Sequence, residues 1–232
     1  MILDLFDMHS VVIQFQYNEA FLLWDRAGAI TKRLATIWPE TKIREVVPNQ
    51  QAITGPGFQI LTGLNQSLIT LRGARSLHSS RVTQVSETFE VWREMLELKQ
   101  IKRISARTIF TRKFAGLLEA NKFLFDLNVV RWPTEKVFDQ PAETPRNGVE
   151  VAFRFESDTA FTILRFRAEE TRFEMELDAD FFDEPLKKSL CRVYIDFDRG
   201  NLGAVDASKL NVTDWLKGYV HVLRRDIPKV ID

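Results

Sequence analysis

The stretch IKRISARTIFTRKF, residues 101–114, alternates side chains as a strand does, and carries Lys102, Arg103, Arg107, Arg112 and Lys113 without one acid. A period of two places Ile104, Ala106, Thr108 and Phe110 on one face and Arg103, Ser105 and Arg107 on the other. The first face reads as core. The second is polar and cationic, and its meaning depends on what lies beside it.

Upstream, Val11, Ile13, Phe15 and Tyr17 alternate with Val12, Gln14 and Gln16, the period of a half-buried strand. From Glu19 the period becomes helical, with Leu23, Trp24, Ala27, Ile30, Leu34 and Ile37 read as one stripe that Pro39 ends. Two strand-like runs follow, one within residues 43–60 and the other SLITLRG, with turn signals at GPG (55–57) and GLNQ (63–66). Ser86 reads as the N-cap of a helix carrying Phe89, Trp92, Leu96 and Leu98. The order β-α-β-β-α-β predicts a ferredoxin-like α+β half over residues 1–128. A short helix at 116–126 and a proline-rich connection or hairpin arm, 129–148, come next. Residues 149–232 then read as an antiparallel sheet of four strands, VEVAFRFES, AFTILRFRAE, TRFEMELDAD and CRVYIDFDRG, with a final helix from Val212 capped by Asn211 or Thr213.

Apolar content of 45% and charged content of 28% are those of a globular chain, and a net charge of zero excludes a generally basic coat. One cysteine, Cys191, permits no internal disulfide and reads as a buried inert thiol. The acidic, short apolar N-terminus does not resemble a signal peptide, and no apolar run reaches the roughly 18 residues of a membrane span. The expectation is a cytoplasmic protein with no membrane contact.

Charge is divided along the chain. Residues 1–146 hold 19 Lys+Arg against 15 Asp+Glu, and the remainder 13 against 17, so +4 and −4 sum to zero. No acid occurs from Val46 to Ser86 or from Leu98 to Leu118, whereas Glu174, Glu176, Asp178 and Asp180 crowd one strand face and Asp196 and Asp198 another. Arg72, Arg103, Arg107 and Arg112 are therefore candidates for binding an anion or a partner. The alternative is a lattice in which they meet acids of the second half, each exposed pair contributing ~0–1 kcal/mol. Outward Gln, Arg, Ser and Thr lack the aromatics that RNA-binding sheets use for base stacking.

Asp178, Asp180, Asp196 and Asp198 could hold Mg²⁺ in a nuclease, since carboxylates at i and i+2 share a face. Arg154, Arg165, Arg167 and Arg172 on neighbouring strands could instead neutralise them. His9, His78 and His221 show no ligand spacing, and TGPGFQILTG lacks the Lys-Ser/Thr of a phosphate loop. Trp132, beside Pro133 in the connection, is a candidate partner contact.

The run SLITLRGARSLHSSRVTQVSETFEVWREMLELKQIKRISARTIFTRKF resembles a sporadically distributed group of uncharacterised bacterial proteins of two-part α+β build. That group has a strand and short turn, a helix of the form aromatic-x-W-x-x-aromatic/aliphatic, then a strand R-x-x-x-R-aromatic-x-N. Trp92 and the strand from Arg103 through Arg107 match, while Thr108 and Phe110 replace the Tyr and Asn usual after the second Arg. YIDFDRG followed by WLKGYVHVLRRDI is similar to the group's acidic strand and last helix. The resemblance covers most of the chain and implies the two-part fold. It assigns no activity, and the group's patchy distribution suggests bacterial conflict or phage-defence genes. The leading expectation is a non-enzymatic binding or assembly subunit without cofactor, which self-associates or takes a protein partner. A nucleic-acid binder using Arg72, Arg103 and Arg107 and the metal-dependent nuclease are the alternatives.

Overall fold

The computed structural model describes residues 2–47, 49–73, 77–129, 148–175 and 186–231. Their elements run β1 (Asp7–Tyr17), α1 (Leu22–Ile37), β2 (Lys42–Val47), β3 (Gln50–Gly55), β4 (Phe58–Gly63), β5 (Gln66–Arg72), α2 (Ser79–Met95) and β6 (Gln100–Phe114). After these come α3 (Leu117–Asp126), β7 (Glu150–Glu156), β8 (Ala160–Met175), β9 (Leu186–Asn201), β10 (Val205–Asp206) and α4 (Val212–Ile231). The fold is α+β, with one ten-stranded sheet in the order β2-β3-β4-β5-β1-β6-β9-β8-β7 and β10 added to the start of β6. Every pairing is antiparallel.

The stretch quoted above is β6, 15 residues long, and it is hydrogen-bonded along both edges. It opposes β1 on one side, Ile13 facing Ala106 and Phe15 facing Ile104, and β9 on the other, Thr108 facing Phe197 and Phe110 facing Ile195. The sheet therefore passes from the basic half of the sequence into the acidic half without a break.

Between α1 and α2 the sequence reading expects two strands, and there are four. The turn signals at 55–57 and 63–66 do not merely flank a strand; each closes a hairpin. Gly55 pairs with Phe58 around Pro56–Gly57, and Gly57 adopts a φ of 74°, which a side chain disfavours. Six-residue strands this short show too few alternations to stand out. Conversely, the two strands expected from AFTILRFRAE and TRFEMELDAD are a single strand, β8, through Met175. Helix α2 begins at Ser79, not after Ser86, because Val82 and Val85 extend the buried stripe of Phe89 and Trp92 by two turns. Asn211 caps α4 as expected, its side-chain oxygen accepting from the Asp214 N–H at 3.1 Å.

Alternation and register put all four helices on one face. Phe15 stacks on Phe89 of α2, Gln51 bonds Thr31 of α1, Tyr219 of α4 meets Thr108, and Phe114 packs on Phe123 of α3. Polar groups within this dry layer, on the sheet and on α2, hold the hydroxyl and indole groups of buried aromatic side chains. Trp92 donates to Thr62 at 2.9 Å, Trp38 to Thr88 at 2.7 Å, and Tyr17 to the Gly63 carbonyl at 2.7 Å while also bonding Ser67. Tyr219 donates to the Phe197 carbonyl at 3.1 Å and accepts from Thr108. Each bond offsets the cost of burying a polar atom; those of Trp92 and Tyr219 tie α2 and α4 to the sheet, and that of Trp38 ties the end of α1 to α2. Burial pushes the Tyr17 and Tyr219 hydroxyls well above the ordinary phenol range, so both remain donors at neutral pH. Tyr219→Phe leaves a buried carbonyl and a threonine hydroxyl short of a partner, and should lower unfolding free energy by about 1–3 kcal/mol in a urea titration.

Candidate functional site

The face opposite the helices carries no helix among the described residues. Across it run rows of side chains set by register. Val12, Arg107, Asp198 and Ile163 lie in one row, and Ser10, Ile109, Asp196 and Arg165 in the next. At its centre Asp196, only 5% exposed, accepts from Arg107 Nε at 2.8 Å and from Arg107 Nη2, and from Arg165 Nη1 at 3.2 Å. This is a two-pronged guanidinium–carboxylate pair with a second cation behind it. The bond to Asp196 raises the Arg107 pKa against the opposing effect of its own burial.

Asp198, two residues along the same strand face, sits partly buried beside this pair. Burial is the main cause of its raised pKa; Arg103, Arg165 and Arg107 pull it back down, and Asp196 pushes it up. Arg103 lies with its guanidinium 4.3 Å over the Phe161 ring. Phe161 in turn lies across Gly200, where a Cβ would come 2.6 Å from the ring and 2.8 Å from Ser105. The glycine of DRGNLG thus makes room for an aromatic under an arginine. Farther out the pattern of alternating charge continues, with Arg154 paired to Glu156, and Arg167 to Glu169 at 3.4 Å.

Arg72, Arg103 and Arg107 share this open face as the alternation predicts, but they are differently used. Arg107 is taken by Asp196 and Arg103 stacks on Phe161. Arg72, opposite Ser10 at the end of β5, is exposed and has no ion pair among the described residues. Arg112 lies on the helix side with Phe110 and Phe114, its guanidinium 4.7 Å over Phe123 of α3. It does not join the other three, because odd and even positions of one strand point apart. Trp132, Asp178 and Asp180 lie outside the described residues. Cys191 is buried, as expected, and the three histidines are exposed and far from one another in the chain.

Two features escaped the sequence reading. Trp24, assigned to the buried stripe of α1, is 57% exposed, beside Phe21 at 56%. At ~100° per residue it falls well off the axis of Leu23, Ile30 and Leu34, which a helical projection reveals. The second is a cleft of about 630 Å³ at the start of α2, lined by Pro56, Phe58, His78, Ser80, Arg81 and Gln84. There Arg81 lies 5.2 Å over the Trp38 ring, and Glu40 lines the same cleft.

Among the described residues no group of three His, Cys, Asp or Glu could hold a metal ion, and no helix is long and apolar enough to cross a membrane. Neither a protein-family model nor a curated protein matches the chain.

Replacing Asp196 with Ala strands two guanidinium groups against each other and should cost about 1–3 kcal/mol of stability. The loss in Arg107→Ala/Asp196→Ala should be less than the sum of the single losses in a double-mutant cycle. Asp198 acts in the opposite sense. A carboxyl whose pKa is higher folded than unfolded keeps its proton longer in the folded state. Its contribution to stability therefore falls as pH rises from the ordinary carboxylate range through the raised value. Asp198→Asn should gain on the wild type through that window and hold a constant advantage above it, measured by urea unfolding across a pH series.

Proposed function

We propose that the protein is a non-enzymatic binding or assembly subunit whose helix-free sheet face docks a protein partner. The observation that carries this reading is the interleaved charge of that face across β6, β9, β8 and β7. Its central acid is already held by Arg107 and Arg165. A face of alternating sign selects a partner of complementary pattern and suppresses wrong ones, more than it adds raw affinity. The enclosure of Asp196 also favours a lattice over a metal site, since the oxygens a cation would need are occupied by guanidinium hydrogens.

The order β4-β5-β1-β6, with α1 and α2 on one side, favours the finer reading of the first half as a ferredoxin-like core to which the β2–β3 hairpin has been added. A place in a bacterial defence or conflict system rests on the resemblance described above and on nothing further. The nucleic-acid reading is favoured by one observation, the exposed Arg72 at the end of an acid-free strand.

The test is capture of partners from source-cell lysate by the tagged chain, compared with folded Arg72→Glu/Arg154→Glu. At least one protein should be recovered by the wild type and lost both in the variant and at higher salt. Equal recovery of every captured protein would overturn the reading. Fluorescence anisotropy with single-stranded DNA and RNA should show no saturable binding tighter than about 10⁻⁵ M at low salt. Tight binding that falls steeply with salt and is lost in Arg72→Glu would put nucleic acid first.

A further inference from the structure

Helix α1 buries Leu23, Ile30 and Leu34 against the sheet, so the opposite side of the helix points away from it. At ~100° per residue Phe21, Asp25, Gly28, Lys32 and Ala35 fall on that outward stripe, flanked by Trp24 and Ala29. All seven are exposed. Phe21 and Trp24 present two large rings to the surface, their centroids 5.2 Å apart. A Cβ built on Gly28 would meet nothing within 4 Å, so another backbone can approach closely there. Asp25 and Lys32, two turns apart, have no ion pair among the described residues.

We infer that this stripe docks a second copy of the chain, the two α1 helices crossing antiparallel about a two-fold axis between Gly28 and Ala29. That axis sets Asp25 against Lys32 of the partner subunit, and Lys32 against Asp25 of the partner subunit. The charges are self-complementary only in this direction, since a parallel arrangement would oppose like to like. At the axis the two smallest side chains let the helices close. At each end Phe21 and Trp24 cover the last turns of the partner helix, which is roughly 24 Å long. Large aromatic side chains are the anchors enriched at protein interfaces. This surface is separate from the sheet face of the proposed function.

Sedimentation velocity of the full chain over a concentration series provides the test, with folding of each variant verified by circular dichroism. The wild type should dimerise. Lys32→Asp, which opposes acid to acid twice, should weaken the dimer roughly tenfold or more. The swapped pair Asp25→Lys/Lys32→Asp should restore it. Gly28→Cys should form a disulfide-linked dimer on mild oxidation, Cys191 being buried. A monomer at all concentrations overturns the inference. So does a dimer indifferent to Lys32→Asp, a swap that fails to restore, or absence of the Gly28→Cys cross-link. Arg72→Glu/Arg154→Glu should leave the dimer unchanged, which separates this result from that of the sheet face.

Discussion

Strand β6 is paired along both edges, and that constraint fixes most of what surrounds it. Its side chains must suit a dry face carrying helices and a wet face at once, along 15 residues. A slip of one residue against β1 would carry Arg103 and Arg107 under α2 and α4 and lift Ile104 and Ala106 into water. The unpaired buried charge alone makes such a register untenable. Thr108 belongs on the dry side only because Tyr219 reaches down to it. The same pairing brings residues some 90 positions apart into neighbouring rows, so Arg107 finds Asp196 across one strand gap.

The charge division along the chain is thereby resolved locally. Basic β6 lies beside β9, and β9 beside Arg165 of β8, so the acid of the second half sits between cations from both sides. The energetic weight falls on Asp196, which is buried, rather than on Arg107, whose side chain is 45% exposed and can still reach solvent. Arg103 stacks on Phe161, for whose ring Gly200 leaves room, and its charge also acts on Asp198. The lattice is a packing device as much as an electrostatic one.

Alternation made β1, β6, β9 and their two faces legible, because one face is buried through the middle of each strand. The β2–β5 hairpins were not legible as four strands, since turn residues punctuate them every few positions and leave no run long enough to show a period. Ser86 misled because cap chemistry also occurs inside helices, and only the burial of Val82 and Val85 tells the two apart. Trp24 misled by hydrophobicity; its angle about the helix, not its side chain, decides its place. The pairing of Arg107 with Asp196, the core of the candidate site, was open in the sequence. Strand neighbours follow from topology, and the position of β9 beside β6 is a long-range choice that local pattern does not encode.

The two surfaces left over differ in origin and serve different ends. The dry face of the sheet is consumed by the helices, with Trp92 of α2 and Tyr219 of α4 bonded to its hydroxyls. Among the outward surfaces are the far side of α1 and the open side of the sheet, on opposite sides of the helix and sheet layers. Two copies joined through α1 would meet by their helix layers and turn both charged sheet faces away from the contact. Each dimer would then present the same alternating-charge face twice, and a partner with repeated sites would gain avidity without any new contact. A heterologous pairing of basic half to acidic half would do the reverse, since it would cover one sheet face with the other. The position of α1 on the helix layer, together with the internal neutralisation of Asp196, favours the arrangement that keeps those faces open.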